Sequence, residues 1–108
     1  MISTSAEHPT RRLDDVIHQR VRFGILAVLT EADRADFQFL KERLGLTDGN
    51  LSRHLQVLAE AGFVAVTKTF EGRRPRTWVR ATSTGRSGFN NHLVALQEII
   101  DQTKAGTK

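Results

Sequence analysis

The feature that most constrains this chain is the stretch Leu46 to Phe63, LTDGNLSRHLQVLAEAGF. Leu51, Leu55 and Leu58 recur there at helical spacing and form one apolar stripe. Between them stand Asn50, Ser52, Arg53, His54 and Gln56, a run of hydrogen-bonding side chains. Thr47 and Asp48 supply N-cap chemistry before the helix, and Gly62 supplies a stop after it. Such a helix must seat its leucines on a core and turn its polar face to water or to a partner. Polar helix faces are common on surfaces, so the neighbouring segments decide which.

Upstream, Asp36 to Leu46, DFQFLKERLGL, places Phe37, Leu40 and Leu44 on one helix face. Phe37 and Phe39 alternate with polar neighbours, which leaves open a short extended piece before the helix proper. Gly45 ends this helix. Two helices joined by about three or four residues containing Gly are the sequence form of a helix-turn-helix.

At 108 residues the chain can build one modest core and not two. It has no cysteine, which removes disulfides, thiolate metal sites and cysteine nucleophiles together. No apolar run approaches a bilayer span, and Met1 to Pro9 lacks the apolar core of a signal peptide, so a cytoplasmic location is expected. The formal charge is +4, and its placement matters more than its size. From Lys68 to Arg86 stand Lys68, Arg73, Arg74, Arg76, Arg80 and Arg86 against Glu71 alone, so the whole positive excess lies in one short segment. Such a segment is the usual footprint of a polyanion partner; the alternative is a solvated basic face.

Residues 1–10 are polar and read as a flexible arm, 11–104 as a single domain, and 105–108 as a frayed end, with loosening expected from Asp101 onward. Arg11 to Gln19 carries Leu13, Val16 and Ile17 as a short helical stripe, and Arg20 to Thr30 carries Val21, Ile25, Val28 and Leu29 as a buried helix. Gly24 within it costs about 1 kcal/mol relative to Ala, which implies a close helix contact. Phe63 to Phe70, FVAVTKTF, reads as a strand, Glu71 to Pro75 as a turn, and Arg76 to Ala81, RTWVRA, as the returning strand. Pro75 cannot donate to a ladder and belongs at the tip or on an edge. Thr82 or Ser83 caps a last helix in which Phe89, Leu93, Leu96 and Ile100 share one face, with Ile99 beside them.

This order of elements, with TDGNLSRHL followed by GRRPRTW and ATSTGR, resembles the small winged helix-turn-helix regulators related to the MarR and ArsR families, from about Leu13 to Ile100. The resemblance implies a mainly α fold with a small β-hairpin wing (α+β). It also implies a homodimeric, sequence-specific, double-stranded DNA-binding transcriptional regulator, expected to be a repressor and associated with the nucleoid. Asp48 to Ala61 would be the recognition helix in a major groove, and Glu71 to Arg76 the wing tip on the phosphate backbone or in the minor groove. The implied DNA-binding residues are Thr47, Gly49, Asn50, Ser52, Arg53, His54 and Gln56, with Lys68, Arg73, Arg74 and Arg76 from the wing. Leu13, Ile17, Phe89, Leu93, Leu96, Ile99 and Ile100 are the expected dimer interface, because an apolar face of that size left in water usually marks one. Two-fold symmetry then implies an inverted-repeat operator with half-sites about 10 bp apart.

Each of these residues has a plainer reading. Arg53 suits a guanine edge or a phosphate, or else a salt bridge to Glu60 or Asp48. Asn50 and Gln56 suit adenine, or are simply polar surface. Ser52 suits a phosphate. Asp48 is acidic where phosphates would lie, so it reads as a cap at the positive end of the helix dipole. His54 reads as packing on the preceding helix or as a phosphate contact, and Trp78 as hairpin packing. His18, four residues after Asp14, with His92 across a dimer, is a weak metal constellation, and no metal site or cofactor is assigned.

No phosphate-binding glycine loop, HExxH or nucleophile elbow is present, so no catalytic residue and no enzymatic activity is assigned. The alternative function is a winged helix that binds another protein and not DNA. An effector cleft occurs among relatives, but beyond apolar lining such as Trp78 or Phe89 nothing in this sequence points to a small-molecule ligand.

Overall fold

The computed structural model describes residues 7–105, so most of the 1–10 arm lies outside the described residues. Pro9–Arg12 forms one 3-10 turn, and the first α-helix, α1, is Arg20–Thr30. The segment between them is not the helix that Leu13, Val16 and Ile17 suggest. The Asp14 carboxylate accepts from the backbone N–H of Val16 at 2.8 Å and of Ile17 at 3.2 Å. A side chain that takes those donors competes with the helix ladder for them. Gln19 is then extended, at φ −143°, and caps α1 by accepting from the Arg22 N–H at 2.9 Å.

Helix α1 is the centre of the domain. It buries Val21, Ile25, Leu26 and Leu29 and touches the three other helices and the sheet. A Cβ added at Gly24 would lie 3.3 Å from Leu44 Cδ2, so the close helix contact expected there is present. Ala35–Asp36 forms strand β1, which is the extended piece, one residue earlier than the Phe37 and Phe39 alternation suggests. Asp36 also caps α2, Phe37–Leu44, by accepting from the Phe39 N–H at 2.7 Å.

Helix α3, Asp48–Glu60, follows a turn of residues 45–47. Thr47 is its N-cap, accepting from the Asn50 N–H at 3.1 Å, while Asp48 enters the first turn and pairs with Lys41 at 2.9 Å. Both helices of the pair stop in the same way. Gly45 and Gly62 take φ of 66° and 82°, and the next residues, Leu46 and Phe63, donate back to Lys41 and Leu58 at 2.9 Å. These are Schellman closures, which explains a glycine at each position.

Strands β2, Val64–Glu71, and β3, Arg74–Ala81, pair throughout, and the sheet order is β1-β3-β2. The turn is therefore only Gly72 and Arg73, shorter than the Glu71 to Pro75 turn expected. Glycine at the first loop position, with φ 67°, permits a two-residue connection whose backbone twist suits the strands. Pro75 is tolerated inside β3 because β1 reaches only Val79 and Trp78, which leaves an open flank beside it.

The last helix, α4, runs over Ser83–Ala105, and residues 106–108 of the expected frayed end lie outside the described residues. Its start is bolted to the end of α3. Thr82 donates its backbone N–H to the Phe63 carbonyl at 3.0 Å and its hydroxyl to the Gly62 carbonyl at 2.6 Å. The same hydroxyl accepts from the Gly85 N–H at 2.9 Å, making Thr82 the cap. Among the described residues no helix is long and apolar enough to cross a membrane.

Candidate nucleic-acid interface

Leu51, Leu55 and Leu58 are buried, so α3 is seated by the stripe that opened the sequence reading. Thr47, Gly49, Asn50, Ser52, Arg53 and Gln56 are all exposed on its other side. Little holds that face to the rest of the protein. Arg53 reaches Asn50 Oδ1 only at 3.5 Å, and Gln56 donates to Glu60 at 3.2 Å. The alternative salt bridge of Arg53 to Asp48 or Glu60 is not formed; Asp48 pairs with Lys41, and Glu60 accepts from Gln56.

His54 differs from its neighbours. Its Nδ1 lies 3.1 Å from the guanidinium of Arg22 on α1, and it is half-buried. An arginine can only donate, so Nδ1 accepts and the ring is neutral. Burial first, and then the Arg22 and Arg53 charges, hold this imidazole below the ordinary histidine range. Its contact with α1 is through Arg22.

The hairpin divides its cations into two groups. Lys68, Arg73, Arg74 and Arg80 are exposed and make no ion pair among the described residues. Arg76, expected beside them, is committed to the protein. It meets Asp36 at 2.6 Å and Glu71 at 2.8 Å, and its guanidinium lies 4.7 Å from the Trp78 ring centroid. Arg34 covers the same ring at 3.7 Å. The Phe39 N–H and then the Arg76 guanidinium hold the Asp36 carboxyl below the usual carboxylate range. Arg86 is likewise spent, donating to the Leu29 carbonyl in the last turn of α1 and to the Ala32 carbonyl just past it, at 3.2 Å each. The positive excess of the segment is therefore real, but part of it holds the fold.

Between α3 and the hairpin lies a cleft of about 600 Å³. Ser52, Gln56 and Ala59 line one wall, Val66, Lys68, Pro75 and Thr77 the other, and Phe37 and Leu55 contribute apolar lining. A helix face rich in donors, a cleft beside it and unpaired cations beyond the cleft form one continuous surface.

The expected dimer residues do not stay together. Ile17 and Phe89 are 0% and 4% exposed, core positions closed to any partner. An apolar periodicity shows that a face is covered, not by what, and here Phe23 of α1 lies 5.1 Å from Phe89 between ring centroids, while Ile17 packs against α4 at Gly88. Leu13, Leu96 and Ile99 are half-buried, while Leu93 and Ile100 stand 41% and 44% exposed. His92 is buried in the same chain as His18, not across a dimer: its Nδ1 accepts from the Asp14 N–H at 3.2 Å and its Nε2 lies 3.0 Å from His18 Nδ1. No group of three or more metal-ligating side chains occurs among the described residues. The Asp36–Arg76 bridge and the histidine pair join positions far apart in the chain, and no local pattern announces them.

Residues 21–100 match the family model of the winged helix DNA-binding domain. The chain belongs to that family. This winged-helix domain is 38% identical over 84 residues to the uncharacterized protein MJ0432 of Methanocaldococcus jannaschii, covering 78% of this chain and 91% of that one. It is 34% identical to a transcriptional regulator homologue from Pyrococcus horikoshii, with a TM-score of 0.78 over 82% of this chain and 87% of that chain. MOSR, a Mycobacterium tuberculosis transcriptional regulator solved in complex with DNA, shares the fold at 21% identity and a TM-score of 0.68, over 92% and 71% of the two chains. Staphylococcus aureus MarR shares the fold at 17% identity and a TM-score of 0.66, over 78% of this chain and 55% of that chain.

Proposed function

We propose that this winged-helix protein is a sequence-specific, double-stranded DNA-binding transcriptional regulator that acts as a cytoplasmic homodimer and represses its targets. The observation that carries this reading is the continuous surface of α3 and the wing. On it Asn50, Ser52, Arg53 and Gln56 are exposed beside Lys68, Arg73 and Arg74, cations without a carboxylate partner among the described residues. The helix enters a major groove and reads base edges, where one bidentate contact is worth about 1–3 kcal/mol of discrimination. The wing meets the backbone or the neighbouring minor groove. Gly49 lets the first turn of α3 approach a phosphate, and Thr47 fixes that turn as its cap. The DNA complex of MOSR, a protein of the same fold, supports this choice of partner.

The dimer contact is assigned to the outer half of α4, where Leu93 and Ile100 are exposed and Leu96 and Ile99 half-buried, together with the half-buried Leu13. Ile17 and Phe89 are left out of it because the core holds them. Selection from a pool of random duplexes tests the reading. Enrichment of an inverted repeat with half-sites about 10 bp apart supports both DNA specificity and the dimer. Enrichment of nothing supports a protein-binding module instead, and a monomer by sedimentation at tens of micromolar contradicts the dimer.

A further inference from the structure

Phe70 is 70% exposed, more than any other large apolar side chain among the described residues, and it stands on the wing beside the unpaired cations. In a two-residue hairpin the closing pair, here Glu71 and Arg74, exchanges hydrogen bonds, so the next pair is of the non-hydrogen-bonded kind. That next pair is Phe70 and Pro75, whose side chains therefore stand at the closest cross-strand approach. Strand alternation and register put both on the face that carries Val66, Lys68 and Thr77. This face lines the cleft opposite Ser52 and Gln56. One exposed apolar residue on a surface is ordinary. A rigid apolar pair at the outer edge of a cleft, with Lys68 on the same face and Arg73 and Arg74 at the adjoining turn, is a built surface.

Resting on the DNA-binding reading above, we propose that Phe70 and Pro75 form an apolar platform for the deoxyribose wall of a minor groove. Charge complementarity selects this occupant. The three neighbouring cations suit phosphates, and the sugar carbons are the apolar part of the same backbone. A second copy of the wing is disfavoured, since a two-fold contact there would bring Lys68, Arg73 and Arg74 against their own images. The wing then contributes in two separable ways, one sensitive to salt through its cations and one insensitive to salt through the platform.

The test measures binding of labelled duplex DNA of about 30 bp, three helical turns, across a salt series. Phe70→Ala is expected to bind about tenfold more weakly at every salt concentration, the loss appropriate to a partly desolvated aromatic ring, with an unchanged salt slope. Phe70→Lys is the second variant. A purely electrostatic wing would bind tighter with this added cation, whereas the platform predicts weaker binding with a steeper slope. Phe70→Ala with wild-type affinity overturns the proposal and leaves the DNA-binding reading intact. So does wild-type affinity combined with a changed sedimentation coefficient, which would place a second copy on Phe70. Wild-type protein without salt-sensitive duplex binding removes the DNA-binding reading and this proposal together.

Discussion

Arginines two residues apart on the hairpin, at its tip and just behind it, serve opposite ends. At the third cross-strand pair behind the turn, Arg76 is held by Asp36 and Glu71 and stacks near Trp78, and at the base Thr82 ties the strand ends to Gly62 and Phe63. At the tip Arg73 and Arg74 are exposed and carry no ion pair among the described residues. The difference shows that a count of basic residues in a segment overstates the charge on offer to a partner. A cation counts toward recognition only after its internal carboxylates and carbonyls have been assigned.

Variants at the base should damage the fold and spare the chemistry of the tip. The largest effect is expected from Gly85→Ala, because a Cβ there would lie 2.0 Å from the Phe63 carbonyl oxygen. That contact is with backbone and cannot be relieved by a rotamer, so a loss of about 3 kcal/mol in denaturant unfolding is expected. Wild-type stability for this variant would show that α4 is not seated on the end of α3 as described. Next comes the tip itself. Replacing Arg73 and Arg74 by Ala should leave the melting temperature unchanged and weaken duplex binding on the order of 50-fold at 0.1 M salt, the value for two phosphate contacts. Anisotropy titrations at that salt decide it, and a melting temperature that falls with affinity would place these arginines in the fold.

A smaller effect is expected from Asp36→Ala, which removes the cap of α2 together with the bridge to Arg76. Loss of the cap costs about 1 kcal/mol, read by chemical denaturation. The change should free Arg76 without lowering the salt slope of DNA binding.

The smallest effects are those of pH. Asp36 titrates below its ordinary value, so the unfolded chain binds the proton more readily. Its contribution to stability is full above the unfolded carboxylate pKa of 3.8 and is lost as pH falls through the lower folded value. His92 is also lowered, by burial and by His18 against the opposing pull of Asp14. Its contribution is full above the unfolded pKa of 6.5 and declines as acid is added. A His92→Gln protein should lose the part of the stability slope just below that pH; an unaltered profile from pH 7 to 5 would sever the link to His92.

Much of the site could be read in the sequence because its determinants are local. Thr47, Gly45, Gly62 and the leucines of α3 act within a few residues of their own position, so caps, stops and periodicity define the helix pair. The hairpin was visible for the same reason, but its turn was drawn too long, since pairing of Phe70 with Pro75 depends on which flank β1 leaves open. The segment before α1 has the periodicity of a helix and does not form one, because Asp14 takes the backbone donors that a helix would need. Arg76, Ile17 and Phe89 looked available because their partners lie elsewhere in the chain.

In the function proposed above, the tip of the wing meets DNA while Arg76, just behind it, holds the fold. The most direct measurement compares the slope of log K against log salt for wild type, Arg73→Ala/Arg74→Ala and Asp36→Ala on one duplex. The account predicts a slope shallower by about 1.8 in the double variant, two phosphates at about 0.9 each, and no shallowing in Asp36→Ala. Equal slopes in wild type and the double variant would contradict it.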